Sequence, residues 1–212
     1  MPGTIVKVCG ITNLDDARDA VEAGADWLGF VLAGDSPRRI APERAAEISA
    51  AFPAITTVAV MVGLEPLPAR RLAERAGTRR VQLHRVDPQH WPADFSLPVA
   101  FAVSVTREGR LATTLPPERH LLLLDTAHAL LEGGTGEPFP WEVAARIAAT
   151  RPVMIAGGLD GDNVADAIAQ ARPFGVDASS RLERAPGFKD TVKVRRFVRA
   201  VRECDERLAR MA

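Results

Sequence analysis

The chain has 212 residues, 47% of them hydrophobic and 25% charged, which is the balance of a folded globular protein with a full-sized core. Its 27 basic and 27 acidic residues cancel, which argues against nucleic acid or an anionic membrane as a partner. No apolar run approaches the roughly 18 residues of a membrane span, and the first residues lack a signal-peptide core. We therefore expect a cytoplasmic protein in which Cys9 and Cys204 are reduced.

Short apolar segments alternate with alanine-rich amphipathic segments along the chain. The segments predicted as strands are 5–9, 27–32, 57–62, 80–84, 99–103, 120–125, 153–156 and 175–179. Those predicted as helices are 14–23, 42–51, 67–76, 141–150, 162–171 and 189–208. Residues 88–93 predict only a weak turn, and the stretch after Val105 has no clear helical pattern.

This alternation predicts parallel strands joined by crossover connections. The eight repeats favour one (β/α)8 TIM barrel over residues 1–212. Because that fold rarely has fewer than about 200 residues, at least two of its helices must be short. An open doubly wound sheet is the alternative. It normally carries a glycine-rich phosphate loop after its first strand, and Gly10-Ile11-Thr12-Asn13 is not such a loop.

The alternation of side chains within each strand places several polar residues on one face. The residues that share that face are Lys7 and Cys9, Gln82 and His84, Leu123 and Asp125, and Gly175, Asp177 and Ser179. The residues between them are apolar and must meet the helices, so this set is predicted to point into the barrel. So many polar groups near one rim favour a functional site over a plain core.

Cys9 and Asp125 form the candidate catalytic pair. They end predicted strands 1 and 6, so a small substrate can lie between a group that takes a proton and one that gives a proton. The simpler interpretations are a buried small hydrophobe for Cys9 and a helix cap for Asp125. The long glycine-containing loop 126–140 favours function, because long loops in compact domains are usually functional or disordered.

The ends of the last two predicted strands are rich in glycine and serine. Gly157 and Gly158 follow strand 7, while Ser179 and Ser180 end strand 8. Backbone amides beside glycine can approach an anion closely, and these two loops are the recurrent phosphate site of the barrel. In the loop after strand 2, Arg38 can clamp a carboxylate, although that segment alone is more simply interpreted as a solvated arginine.

Lys7 and Asp177 lie on neighbouring strands and face inward, which predicts an ion pair beneath the site. Such a pair can favour a thiolate at Cys9, two residues after Lys7. A purely structural pair is an equally good interpretation.

Several separated segments, taken in chain order, resemble the phosphoribosylanthranilate isomerases. The matching segments are 7–12, 24–26, 29–31, 36–38, 81–84, 123–126, 133–136, 156–159, 163–164, 175–180 and 186–190. Each is modest alone, but their order from Lys7 to the last helix makes the resemblance specific. It implies an Amadori rearrangement in tryptophan biosynthesis, from N-(5-phosphoribosyl)anthranilate to 1-(2-carboxyphenylamino)-1-deoxyribulose 5-phosphate.

The resemblance also implies roles for individual residues. Asp125 would be the general acid that opens the furanose ring, and Cys9 the general base that removes the C2 proton. Arg38 would bind the anthranilate carboxylate. The amides around Gly157, Gly158 and Ser180 would bind the phosphate.

Other expectations follow from the same resemblance. His84, Ser179 and Arg181 are further candidate substrate contacts. The family implies no metal or organic cofactor, and its partner is a phosphorylated aminosugar. The sequence leaves a monomer and a homodimer equally open.

The chain departs from the family pattern at a few positions. Arg181 and Arg85 stand where glycine is usual, so Arg181 either crowds the phosphate or adds a charge to it, and a positive φ would be strained. Gly63 stands where asparagine is usual, and Glu137 where lysine is common. None of these removes the proposed acid, base or arginine.

Two alternatives to the isomerase remain. One is a related sugar-phosphate isomerase of histidine biosynthesis, whose base on strand 1 is an aspartate, so Cys9 argues against it. The other is a barrel that binds a phosphorylated ligand without catalysis, which Arg181 and Arg85 motivate.

Overall fold

Eight parallel strands close into a barrel in chain order, with β1 paired to both β2 and β8. The computed structural model describes residues 3–126 and 138–211. The strands are β1 Ile5–Cys9, β2 Trp27–Val31, β3 Thr56–Val62, β4 Arg80–His84, β5 Val99–Val105, β6 Leu121–Thr126, β7 Val153–Ile155 and β8 Gly175–Ala178. The predicted TIM barrel is confirmed, and the strand ends differ from the predicted ones by two residues at most.

Helices cover the outside of the barrel. They are α1 Leu14–Ala23, α2 Pro42–Ala51, α3 Pro66–Arg75, α4 Trp141–Ala148, α5 Val164–Ala171 and α6 Thr191–Met211. A single 3-10 turn, Pro88–His90, joins β4 to β5, and residues 106–120 join β5 to β6 without a helix. The expected shortening of two connections is therefore confirmed. In the described part of the chain, no helix is both long and apolar enough to cross a bilayer.

The prediction that the last helix begins at Lys189 is wrong by two residues. The Asp190 carboxylate accepts hydrogen bonds from the amides of Val192 at 2.9 Å and Lys193 at 3.1 Å. It therefore caps the helix, whose first free amides need such an acceptor. Lys189 belongs instead to a short antiparallel hairpin that the sequence pattern did not predict, formed by β9 Glu183–Ala185 and β10 Phe188–Lys189.

The apolar core has two layers. The larger one lies between the strands and the helices and includes Val8, Phe30 and Phe197. The smaller one fills the lumen and consists of Cys9, Trp27, Val31, Val58, Val60, Leu123, Met154 and Ala156. The inward orientation predicted for Cys9 and Leu123 is confirmed.

Candidate active site

A cavity of about 210 Å³ lies at the carboxyl ends of the barrel strands. It is lined by all nine predicted site residues, Cys9, Arg38, His84, Asp125, Gly157, Gly158, Ser179, Ser180 and Arg181, and also by Gln82 and Asp177. A larger cavity of about 510 Å³ opens at the other end of the barrel, near Arg80 and His120, and holds neither the thiol nor Asp125. The smaller cavity is therefore the candidate active site.

The thiol and the carboxyl reach this cavity from separate strands. Cys9 is the last residue of β1 and is 8% exposed, whereas Asp125 lies near the end of β6 and is half-buried. In the closed barrel, β7 and β8 separate these two strands. The two groups therefore line one cavity without belonging to neighbouring strands.

The predicted ion pair beneath the site is confirmed. Lys7 Nζ donates to Asp177 Oδ2 at 2.8 Å, and the Lys7 side chain is fully buried. Burial is the largest single effect and lowers the pKa of Lys7, but the attraction and hydrogen bond of Asp177, together with the contribution of Cys9, outweigh it and leave that pKa above its ordinary value. The other carboxylate oxygen, Asp177 Oδ1, is buried without a hydrogen-bond partner among the described residues. Lys7 therefore remains a cation below the thiol.

The acidity of Cys9 is set by opposing effects, of which burial and the charge of Lys7 are the two largest. Burial raises the pKa of the thiol, and the nearby Lys7 ammonium lowers it. Burial is the larger effect, so the pKa of Cys9 lies above its ordinary value. Lys7 acts in the direction that the sequence suggested, but it does not make Cys9 a resting thiolate.

His84 is neutral at ordinary pH. Burial, Lys7 and Arg85 together lower the pKa of His84 to about 4. Its Nε2 lies 2.9 Å from the Gln82 amide nitrogen. An amide nitrogen can only donate, so Nε2 accepts and Nδ1 carries the ring proton. The site thus offers a neutral imidazole at the end of β4.

The glycine turn after β7 is held in a conformation that exposes its backbone. Gly157 and Gly158 have φ of 87° and 70°, in the left-handed region that favours glycine. A Cβ on Gly157 would lie 2.5 Å from the Thr126 amide nitrogen. Asn163 Nδ2 donates to the Gly158 carbonyl at 2.8 Å and fixes the rest of the turn. Asn163 lies in a segment that carried the family resemblance, but nothing in the sequence predicted this contact.

Arg38 is not a solvated surface arginine. Its Nε and Nη2 donate to the two carboxylate oxygens of Glu183 at 2.8 and 2.7 Å. Glu183 also accepts from the buried Lys189 Nζ at 3.1 Å. Sequence reasoning missed both Glu183 and Lys189. The sequence offered one signal, and only for Lys189: this residue lies in the segment 186–190, which resembles the family.

The described part of the site holds no cluster of metal-ligand side chains. Within residues 3–126 and 138–211, no group of three or more His, Cys, Asp or Glu side chains is placed to hold a metal ion. The polar groups that face the cavity are single donors, acceptors and charges. They suit an organic anion with hydroxyl groups.

Comparison with known proteins decides the family. The model of a family described as "N-(5'phosphoribosyl)anthranilate (PRA) isomerase" matches residues 6–200. The chain belongs to the phosphoribosylanthranilate isomerase family. The isomerase of Pelobacter propionicus is 44% identical over 200 residues, which cover 93% of this chain and 95% of that protein.

Solved structures of phosphoribosylanthranilate isomerases agree with this assignment. The crystal structure of the Thermotoga maritima isomerase is 34% identical, has a TM-score of 0.81, and is matched over 94% of this chain and 99% of that one. A second isomerase structure, in complex with reduced 1-(o-carboxyphenylamino)-1-deoxyribulose 5-phosphate, is 33% identical with a TM-score of 0.80 and the same coverage. A further structure is of monomers generated from the isomerase of Thermotoga maritima, which is described there as dimeric.

The departures from the isomerase pattern have different structural consequences. Among the described non-glycine residues, only Arg85 and Arg172 have positive φ, at 55° and 47°. The strain considered for Arg181 is therefore found at Arg85 instead. Gly63 has a φ of 65°, a conformation that both glycine and the family's usual asparagine tolerate.

Arg181 itself lies at the rim of the cavity. Its Nη1 is 3.5 Å from Asp160 Oδ2, and its side chain is 44% exposed. Arg181 is therefore a partly exposed cation at the rim of the cavity. Glu137 and the loop segment 133–136 lie outside the described residues.

Proposed function

We propose that the chain catalyses the rearrangement of N-(5-phosphoribosyl)anthranilate to 1-(2-carboxyphenylamino)-1-deoxyribulose 5-phosphate, in tryptophan biosynthesis. The observation that carries the proposal is the shared cavity of Cys9 and Asp125, with Arg38 on its wall and the glycine and serine turns at its rim. Membership of the isomerase family supports the same reaction. An aldose–ketose rearrangement needs this combination of one acid, one base and an anchor for the phosphate.

The first step opens the sugar. Asp125, protonated, gives its proton to the furanose ring oxygen as the bond between that oxygen and C1 breaks. The anilino nitrogen donates its lone pair to C1, and a protonated Schiff base forms. The substrate's own nitrogen thus supplies the electron sink for the next step.

The second step moves a proton from carbon. The Cys9 thiolate removes the C2 proton, and the electrons of that bond neutralise the iminium nitrogen to give an enolamine. Tautomerisation of the enolamine to the ketone adds a proton at C1 and removes one from the C2 hydroxyl. Because burial raises the pKa of Cys9, the Lys7 ammonium is needed to stabilise the thiolate that performs this step.

Contacts at the two ends of the substrate position the reacting carbons. Arg38 binds the ring carboxylate, and the amides of Gly157, Gly158 and Ser180 bind the phosphate, with Arg181 as an added cation. His84 and Ser179 hydrogen-bond the sugar between these ends. Binding energy from the two anions is thereby used to hold C1 and C2 near the acid and the base.

The decisive experiment follows the loss of substrate fluorescence in purified protein. We expect turnover by the wild type, and a loss of at least about 100-fold in kcat for Cys9→Ala and Asp125→Asn. Both variants should still bind the reduced product analogue. Cys204→Ala, which removes the thiol of α6 outside the cavity, and Asp15→Asn on the surface are matched controls that should keep wild-type kcat.

Other outcomes identify the alternatives. A wild type that binds the product analogue but does not turn over would indicate a phosphate-ligand-binding barrel. Turnover of the aminoaldose of histidine biosynthesis would indicate the related isomerase. Equal turnover by the wild type, Cys9→Ala and Asp125→Asn would contradict the assigned acid and base.

The setting of the enzyme is part of the proposal. We place it in the cytoplasm, which is supported by the free thiols of Cys9 and Cys204. Its partner is the small phosphorylated substrate. Sedimentation at micromolar concentration distinguishes the monomer from the homodimer.

A further inference from the structure

Arg38 pairs with the carboxylate of Glu183, a residue that does not line the cavity. Two nitrogens of the Arg38 guanidinium, Nε and Nη2, donate to the two carboxylate oxygens of Glu183 at 2.8 and 2.7 Å. A guanidinium has five N–H groups in one plane, so this pairing directs the edge that carries Nη1 away from Glu183. Arg38 lines the cavity with the side chain 24% exposed. The clamp thus fixes the plane in which the arginine can meet a second carboxylate.

Glu183 is itself held from several sides. Its side chain is 5% exposed, and Oε1 accepts from Lys189 Nζ at 3.1 Å and from the Gly187 amide at 3.3 Å. Its carbonyl accepts from Lys193 Nζ at 2.8 Å. Burial alone would raise the pKa of Glu183, but Arg38 and Lys189 outweigh it and hold that pKa below its ordinary value. Glu183 is therefore an anion with little freedom to move.

The three charges do not cancel. Arg38 and Lys189 carry two positive charges, and Glu183 carries one negative charge, so the cluster keeps a net charge of +1. Without Lys189, the clamp would neutralise Arg38 and leave little attraction for an anionic ligand. With Lys189 behind it, Glu183 orients Arg38 while the cluster still attracts a carboxylate.

The same lysine also acts on the other end of the cavity. Lys189 Nζ donates to the Ser179 carbonyl at 3.2 Å, and the Leu182 amide donates to that carbonyl at 3.0 Å. In a trans peptide the carbonyl and the following N–H point in opposite directions. The Ser180 N–H is therefore aimed away from Lys189. One buried cluster thus orients a carboxylate-binding group and a phosphate-binding amide.

From this geometry we infer that Glu183 is a positioning residue that makes the cavity selective for a phosphorylated sugar bearing an aromatic carboxylate. It acts through Arg38, with Lys189 as the counter-cation. The inference rests on the proposed function, because it specifies how the carboxylate of that substrate is recognised. Glu183 contacts the arginine and not the reacting atoms, so its loss should change binding more than chemistry.

The test compares two ligands with the intact protein. One is the reduced 1-(o-carboxyphenylamino)-1-deoxyribulose 5-phosphate, and the other is its phenylamino analogue, which lacks the carboxylate. In Glu183→Gln we expect the affinity for the first to fall about tenfold and that for the second to change less than about twofold. In turnover, KM should rise about tenfold and kcat should stay within about threefold of the wild type.

Two further variants separate positioning from folding. Glu183→Gln combined with Lys189→Met removes both buried charges and should show the same loss of selectivity. In an Arg38→Met background, Glu183→Gln should have no further effect on the carboxylated ligand, because the group it orients is gone. Glu43→Gln, which breaks an exposed pair with Arg75 away from the cavity, is the matched control and should leave both affinities unchanged.

The outcomes distinguish this inference from the proposed function. If Glu183→Gln weakens both ligands equally, or neither, or remains effective in the Arg38→Met background, the positioning role is wrong. If the wild type does not prefer the carboxylated ligand at all, the fault lies with the proposed substrate and with the role of Arg38.

Discussion

The thiol of Cys9 faces Gly29 across the β1–β2 pair, with the two residues in register. A Cβ built on Gly29 would lie 2.8 Å from Cys9 Sγ and 3.1 Å from Lys7 Nζ. The first contact is shorter than real Cβ atoms make, and the second is tight enough that the Lys7 side chain would have to shift. The absence of a side chain at residue 29 is therefore what allows the thiol and the buried ammonium to occupy the same layer of the lumen.

Replacement of Gly29 by alanine should damage the active site more than the fold. The added methyl must displace either the thiol or the Lys7 side chain. We expect kcat to fall at least about tenfold and stability to fall by about 1–3 kcal/mol, as overpacking usually does. Steady-state kinetics and urea unfolding measure the two effects. Ala59→Val overpacks the outer core and should destabilise while keeping kcat; an unchanged kcat in Gly29→Ala would contradict the argument.

Replacement of Lys7 by methionine should both destabilise the barrel and weaken the base. It leaves the Asp177 carboxylate buried without its partner, which costs about 3–5 kcal/mol in comparable cases. Lys7→Met combined with Asp177→Leu should recover most of that loss in urea unfolding. The pKa of Cys9 should rise further in Lys7→Met, as followed by thiolate absorbance. An unchanged pKa would show that the ion pair is purely structural.

The rate should increase with pH on the alkaline side. The base form of Cys9 is the thiolate, and burial raises the pKa of Cys9. We therefore expect kcat/KM to keep rising at pH values above the pKa of an ordinary thiol. Stability should change in the opposite direction. A raised pKa in the folded state contributes stability below the unfolded pKa that is lost as pH rises through the folded pKa.

Rate profiles and unfolding at several pH values measure these two trends. Cys9→Ala should lack the alkaline loss of stability that is due to this thiol. A rate that is flat from neutral to alkaline pH in the wild type would contradict a protonated resting thiol.

Replacing either of the two arginines that have positive φ with glycine should stabilise the protein. Arg172 follows α5 with a φ of 47° and is exposed, so glycine there removes strain of about 1 kcal/mol, partly offset by the freedom of the unfolded chain. We expect Arg172→Gly and Arg85→Gly each to raise stability by up to about 1 kcal/mol. Arg199→Gly, inside α6, should instead lower it by about 1 kcal/mol. Thermal unfolding measures all three, and a loss at residue 172 would contradict the strain.

Local patterns were enough to predict most of the architecture. Strand segments such as 5–9 and 80–84 were predicted to the residue, because an apolar run bounded by turns needs no distant information. The start of α6 was misplaced because Asp190, a good capping residue, and Lys189 were treated as helix interior. The hairpin of β9 and β10 was missed because its strands are only three and two residues long.

The sequence predicted the residues that line the cavity, but among their contacts it predicted only the pair of Lys7 with Asp177. Period-two alternation placed Cys9, Asp125 and Asp177 at one rim, and the structure agrees. The pairing of Arg38 with Glu183 spans 145 residues of sequence, and no local pattern reports it. The sequence also could not predict whether the pKa of Cys9 is raised or lowered. Lys7 lowers it and burial raises it, and the extent of burial is known only from the tertiary structure.

By itself, the amino-acid sequence determined the barrel, the inward face of each strand and the family to which the chain belongs. These depend on the order of apolar and polar residues and on short motifs, which are properties of neighbouring residues. The tertiary structure decided which charges meet and which groups keep their protons. Those outcomes depend on burial and on contacts between distant segments, and Coulomb and desolvation energies change steeply with both.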